Sequence, residues 1–204
     1  TGFLHTVLSI APRVANMTNN KPQQNLWNRD YSVLTKIYIF LSRKITPSRA
    51  RYILNTKKMD KATISLLLNK CGINIDASAI LTPPLHFDKG LISIDADTFI
   101  NFDCVFLDNG GIHIGKNVFI GPKVTLCTVT HSTIPAERLA EEKNIYAPII
   151  IKNNAFIGAG VVVLPGVTIG ENSVIAANSV VTHDVPENAL YAGSPARFVR
   201  SIQG

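Results

Sequence analysis

The string Leu126-Cys127-Thr128-Val129-Thr130-His131 ends on an imidazole, the side chain that changes charge nearest neutral pH and the commonest metal ligand. A lone histidine is usually inert surface. This one holds the outward sixth place of a six-residue unit, at a corner, immediately before residues 132–148, which keep no periodicity. His113 lies one eighteen-residue interval earlier, so the two rings could stack at the ~4.8 Å spacing of adjacent strands and share a metal. A catalytic zinc takes three protein ligands, however, and neither His86 nor His183 shares that phase, so no metal site is assigned. Cys127 sits four places before His131 with no sequence argument for an activated thiolate. Arg197 and Arg200 follow Gly193-Ser194-Pro195 at a spacing that puts both on one side of a helical turn, where they can meet phosphates. Asn101 offers an amide that both donates and accepts, and Asp108-Asn109-Gly110-Gly111 reads as a turn.

The element that must position these groups announces itself by a period of six. Ile151, Ile157, Val163, Ile169, Ile175 and Val181 recur in one register, with Ala155, Val161, Val167, Ser173 and Ser179 four places after the first five. No helix or ordinary strand has that period, whereas a parallel β-helix does: each six supplies a short strand and a corner, and three sixes close a triangular coil. The phase is present earlier at Ile114, Ile120 and Leu126, and more weakly at Ile75, Leu81, Phe87, Ile94, Ile100 and Phe106. Residues 132–148 therefore read as a loop extruded from one corner.

The 204 residues, 46% of them hydrophobic, suffice for one repeat domain with a helical attachment. The formal charge of +6 collects in the N-terminal third, at Arg43, Lys44, Arg49, Arg51, Lys57 and Lys58. No stacking aromatics accompany it, so it reads as a solvated helix face and not as a nucleic-acid site. Cys71, Cys104 and Cys127 match no disulfide or metal spacing, which points to a reducing compartment, and Cys104 holds a plus-four core place. The apolar run Ile37 to Leu41 falls far short of the ~20 residues that span a bilayer. With no convincing signal peptide, and with Thr1 reading as a trimmed or renumbered start, the expected location is cytoplasmic. Helices are expected at Asp30 to Ile45, Arg49 to Asn55 and Lys61 to Lys70. The organisation is then a mostly helical region 1–70, a β-helix 71–185 and a C-terminal tail 186–204.

From about Cys71 to Ile202 the chain resembles the maltose/galactoside O-acetyltransferase group of hexapeptide-repeat acyltransferases. The residues that carry the resemblance are Thr82-Pro83-Pro84-Leu85-His86-Phe87, Ile100-Asn101-Phe102, Ile114-Gly115-Lys116-Asn117-Val118, the string ending at His131, Pro165-Gly166-Val167-Thr168-Ile169-Gly170 and Ala192-Gly193-Ser194-Pro195-Ala196-Arg197. The resemblance implies a left-handed β-helix, a homotrimer with sites between subunits, and transfer of acetyl from acetyl-CoA to a hydroxyl without an acyl-enzyme. His131 would be the general base. Asn101 matches the family's acceptor-contacting asparagine; Asp108 and Asn109 fall where the family has paired acids, the second being an amide here. Phe156, Ala159, Ala177, Thr182, His183, Arg197 and Arg200 match the CoA-binding positions. The pantetheine arm would meet the Ala159 and Ala177 amides, with any oxyanion help from the Ala159 main-chain N–H. His183 replaces a common Lys.

The N-terminal portion diverges from the family and holds no clear equivalent of its sugar-binding aspartate upstream of Asn55, Asp30 being a candidate by proximity alone. That divergence implies a cell-surface or other glycan precursor as acceptor in place of maltose or a galactoside. Three rivals are a serine O-acetyltransferase, a metal hydratase of the γ-carbonic-anhydrase kind built on His113 and His131, and a non-catalytic structural trimer.

Overall fold

The computed structural model describes residues 33–140 and 144–202; the expected Asp30 helix start and Asp30 itself lie outside them. Three helices precede the β region: α1 (Val33–Leu41), α2 (Pro47–Thr56) and α3 (Lys61–Cys71). α1 ends before the expected Ile45. Thr46, which falls between two expected helices, is the N-cap of α2 with Pro47 at the first helical place, where a missing N–H costs nothing. Asp60 caps α3, accepting the Thr63 N–H at 2.8 Å, and Gly72 closes it with φ of 109°, a conformation that suits glycine.

The short strands then wind as a parallel solenoid. The first coil is β1 (Asn74–Ile75), β2 (Ile80–Leu81) and β3 (Leu85–Phe87); the second is β4 (Ile92–Ile94), β5 (Phe99–Ile100) and β6 (Cys104–Leu107). The third is β7 (Ile112–Ile114), β8 (Phe119–Ile120) and β9 (Thr125–Cys127). An excursion follows with β10 (Val129–His131), α4 (Pro135–Arg138) and β11 (Asn144–Tyr146). The winding resumes with β12 (Ile149–Ile151), β13 (Phe156–Ile157) and β14 (Val162–Val163), then β15 (Thr168–Ile169), β16 (Val174–Ile175) and β17 (Val180–Val181). β18 (Ala189–Ala192) and β19 (Arg197–Ser201) end the described chain.

Strands stack on three faces. The first orders as β1-β4-β7-β12-β15, the third as β17-β14-β9-β6-β3, and the second carries β2, β5, β8, β13, β16 and β18 with β19 at its edge. Every coil is in register, Ile94 beside Ile114 and Ile157 beside Ile175, so the aliphatic at each six stacks on its counterpart inside. These residues are essentially inaccessible and form one apolar core. The small plus-four residues complete it. Thr98 Oγ1 donates to the Gly115 carbonyl and Ser173 Oγ to that of Pro186, which satisfies their hydroxyls indoors.

The exposed edge of the first coil is covered by the helices. Asn55 of α2 donates to the Leu85 carbonyl and accepts the Leu85 N–H, both at 3.0 Å, and Asn69 of α3 does the same for Ile75 at 3.3 Å. Each amide imitates a neighbouring strand, so the solenoid does not end in a bare sheet edge.

One stability prediction arises at the α3 cap. The Lys36 ammonium, 2.6 Å from Asp60, is the main cause that lowers this carboxyl from 3.8 to about 2. A depressed carboxylate stabilises fully above its unfolded value and loses that contribution as pH falls through the folded one. Asp60→Ala should therefore cost about 1 kcal/mol at pH 7 in chemical denaturation, the usual size of a lost N-cap. The gap from wild type should close as the pH drops through 3.8 toward about 2.

Candidate active site

The chain leaves the third coil at Thr128 and returns at Ala147, whose N–H donates to the Thr128 carbonyl at 3.0 Å. That hydrogen bond is the neck of the excursion. Beyond it β10 and β11 pair antiparallel, with His131 opposite Asn144. The expected featureless loop is thus a hairpin arm with one helical turn, and His131 lies exposed near its base. The neck is fixed from below. The Gly110 N–H donates to Thr128 Oγ1 at 2.7 Å, while that hydroxyl donates to the Leu107 carbonyl at 2.6 Å. A β-carbon on Gly110 would lie 2.9 Å from the Thr128 carbonyl oxygen, so only glycine lets the turn seat there. Asn109 is the neighbour of that glycine, and the structure thereby brings the Asn109 turn against the arm that carries His131.

Asp108 has a different employment from the one expected. It is fully buried, and its two oxygens accept the N–H groups of Asp88, Lys89 and Leu91 at 2.6 to 3.2 Å. This side chain organises the preceding corner, since a buried polar group is kept where hydrogen-bond partners converge on it. Asn101 is half-buried, and its Oδ1 accepts the Phe102 N–H at 2.8 Å. His113 does not stack with His131. It pairs across the first face with Ser93 and Ile150, its Nδ1 2.9 Å from Ser93 Oγ, which removes the two-histidine geometry of the hydratase reading.

Cys127 donates its thiol to the Val129 carbonyl at 3.1 Å. Burial pushes the Cys104 thiol up to about 11 and raises Cys71 as well, so neither resembles a nucleophile.

A second group of predicted residues gathers at another corner. Ala159 and Ala177 follow β13 and β16 and are both exposed. The amides around them are engaged, Gly158 to Ile175, Gly160 to Pro122, Ala176 to Tyr191 and Asn178 to Ala159, whereas those of Ala159 and Ala177 donate to no described residue. Two stacked outward N–H groups are what an extended amide-bearing ligand needs to pair with a strand edge. The corner tolerates no bulk: a β-carbon on Gly158 would approach Ala177 N to 2.6 Å and the Ile175 carbonyl to 2.8 Å. Gly158→Ala should cost about 1–3 kcal/mol, as overpacking does, and thermal denaturation checks it.

Phe156 projects from the second face at 48% exposure, beside Phe119 and Val174. Thr182 Oγ1 lies 2.8 Å from His183 Nδ1. Arg197 and Arg200 stand on β19 and not on a helical turn. An i, i+3 pair on a regular strand would point to opposite faces, but a bulge intervenes: Arg197 pairs with Ala192 and Arg200 with Leu190, two residues on one face of β18. The extra residue returns both guanidinium groups to a common, exposed side.

Within one chain the two groups sit apart, His131 and Asn109 between the third and first faces, Ala159 and Ala177 between the second and third. Two open grooves run along the first face around Ser93 and His113; one, of about 420 Å³, reaches the Asn109 turn, and neither includes His131.

Residues 148–183 match the bacterial transferase hexapeptide (six repeats) family. The chain is 48% identical over 126 residues to a protein of the acetyltransferase class from Schizosaccharomyces pombe, covering 60% of this chain and 59% of that one. It is 40% identical over 138 residues to the galactoside O-acetyltransferase of Escherichia coli, covering 67% of each. Among solved structures it superposes on the hexapeptide-repeat acetyltransferase of Vibrio cholerae complexed with acetyl-CoA, with a TM-score of 0.70 and 38% identity, over 77% of this chain and 85% of that one.

Proposed function

This chain belongs to the maltose/galactoside O-acetyltransferase group of the acetyl-CoA-dependent hexapeptide-repeat acyltransferases, and from that premise we propose that it acetylates a hydroxyl of a sugar or glycan precursor. The observation that carries the reading is an exposed imidazole on an arm whose neck is pinned by three hydrogen bonds. Bound acetyl-CoA supplies an activated acyl carbon as a thioester. His131 acts as general base, taking the proton of the acceptor hydroxyl as its oxygen bonds to that carbon; as the carbon–sulfur bond breaks, the imidazolium returns that proton to the departing CoA sulfur, leaving the acetyl ester and free CoA thiol. Asn109 offers its amide to the acceptor from the corner that Asp108 holds, and Asn101 offers its own from the corner between the second and third faces.

The residues at the second corner fit the donor. The outward N–H groups of Ala159 and Ala177 pair with its amide-bearing arm, and the Ala159 N–H faces the developing oxyanion. Phe156 gives an apolar wall; Thr182 and His183 line the path; Arg197 and Arg200 meet phosphates from one side of β19. Since base and donor cradle occupy different corners of one chain, a complete site requires two copies, and a homotrimer supplies it three times. The outward ladder of Ile80, Phe99, Phe119, Phe156, Val174 and Leu190 gives the second face apolar surface to bury between copies. Among the described residues no helix is long and apolar enough to cross a membrane. The donor and the unpaired cysteines fit the cytoplasm.

The test is release of free thiol from acetyl-CoA with a panel of sugars and with serine. Sugar-dependent release supports the proposal. Release with serine alone moves the chain to the serine O-acetyltransferases, and none with any hydroxyl removes the enzymatic reading.

A further inference from the structure

A continuous apolar exposed surface lies on the helices that precede the solenoid. α1 reads VLTKIYIFL, and six of its nine residues, Val33, Leu34, Ile37, Tyr38, Phe40 and Leu41, are exposed, Leu34 at 76% and Phe40 at 73%. With about 3.6 residues per turn these six fall on one continuous arc, opposite the buried Ile39. The helix is firmly held. Lys36 bonds Asp60 at 2.6 Å, and Lys70 Nζ donates to the carbonyls of Ile39, Phe40 and Ser42 at 2.7 Å each.

Cations border this stripe. The Arg49 guanidinium is 5.8 Å from the Tyr38 ring, the Lys70 ammonium is 5.9 Å from that of Phe40, and exposed Arg43 and Lys44 follow the helix directly. Residues 33–71 hold nine Lys or Arg against Asp60 alone, +8 within a chain whose total is +6, so the remainder is net acidic.

We propose that this helical region docks on an anionic lipid surface, with α1 lying in the headgroup plane, its apolar arc inserted and the rim cations against lipid phosphates. Charge complementarity selects that occupant. A second copy would present the same concentrated positive charge, and a nucleic acid gives no place to an apolar helix face. The docking is peripheral, since nine residues at about 1.5 Å each do not span a bilayer. It stands independently of the acetyl-transfer chemistry.

The experiment is cosedimentation of the full chain with vesicles of phosphatidylcholine alone and of phosphatidylcholine mixed with phosphatidylglycerol, at low and physiological salt. Partition onto the anionic vesicles, weakened by salt, is expected. The double variant Leu34→Glu/Phe40→Glu should partition at least about tenfold more weakly, and Arg43→Glu/Lys44→Glu likewise, while thiol release from acetyl-CoA and sedimentation velocity stay unchanged. The milder Leu41→Ser should fall between them and wild type. The proposal is overturned by no partition onto anionic vesicles, by equal partition onto neutral ones, or by a Leu34→Glu/Phe40→Glu chain that changes oligomeric state and keeps its vesicle binding.

Discussion

His131→Ala is expected to lower kcat by about 100-fold to 10,000-fold, the usual contribution of a positioned general base, with little change in the KM for acetyl-CoA. The amides proposed to hold the donor, at Ala159 and Ala177, lie at another corner of the chain, so truncating the imidazole leaves them in place. The fold should be unaffected as well. His131 is exposed on β10, and the neck below it depends on Thr128, Gly110 and Ala147 and not on the ring. Steady-state kinetics with a fixed acceptor, beside circular dichroism of the variant, separate the cases. An unchanged kcat would falsify the role of His131, and a matching loss of donor affinity would show that the arm had moved.

Phe106→Ala is expected to cost about 3–5 kcal/mol of stability, as large-to-small changes at packed aromatic sites do. Phe106 has no accessible surface and stacks in register between Phe87 of the coil before and Leu126 of the coil after. The interior of a triangular solenoid is narrow and its walls are hydrogen-bonded coil to coil, so neighbouring backbone cannot collapse into the hole. The denaturant midpoint should fall at unchanged slope. A loss below about 1 kcal/mol would mean that the coils relax freely and that close packing does not fix their spacing.

The hexad aliphatics are the part of this architecture that a reader of the sequence meets first. Ile157 and Ile175 were legible because a solenoid repeats one environment at one interval, and the side chain that fits it repeats too. A subtler signal was present three places after many of these aliphatics. Asn117, Asn154, Asn172 and Asn178, with Gly160 and Gly166, all have positive φ there, the left-handed corner that asparagine and glycine tolerate. The outward ladder Asn154–Asn172–Asn188, at 2.9 and 2.8 Å, follows from that placement.

Other features had no local signature. Asn55 and Asn69 read as ordinary helical residues until the coil they cover is in place. Asp108 reads as a turn acid beside Asn109, and only the fold delivers three backbone N–H groups from residues 88–91 to it. Arg197 and Arg200 invite a helical turn by spacing alone. Their common side exists because β19 pairs with β18 through a bulge, and pairing is a property of two segments at once.

The order of side chains along the chain therefore determined the coil, its core and the place where the winding breaks, since a six-residue period is a local property that each repeat states again. Tertiary structure alone decided which carboxylate is buried, which amides at a corner face outward, and that His131 and the Ala159 and Ala177 amides lie on different corners. Those outcomes depend on contacts between residues far apart in sequence, and distance in space is not written in any one segment.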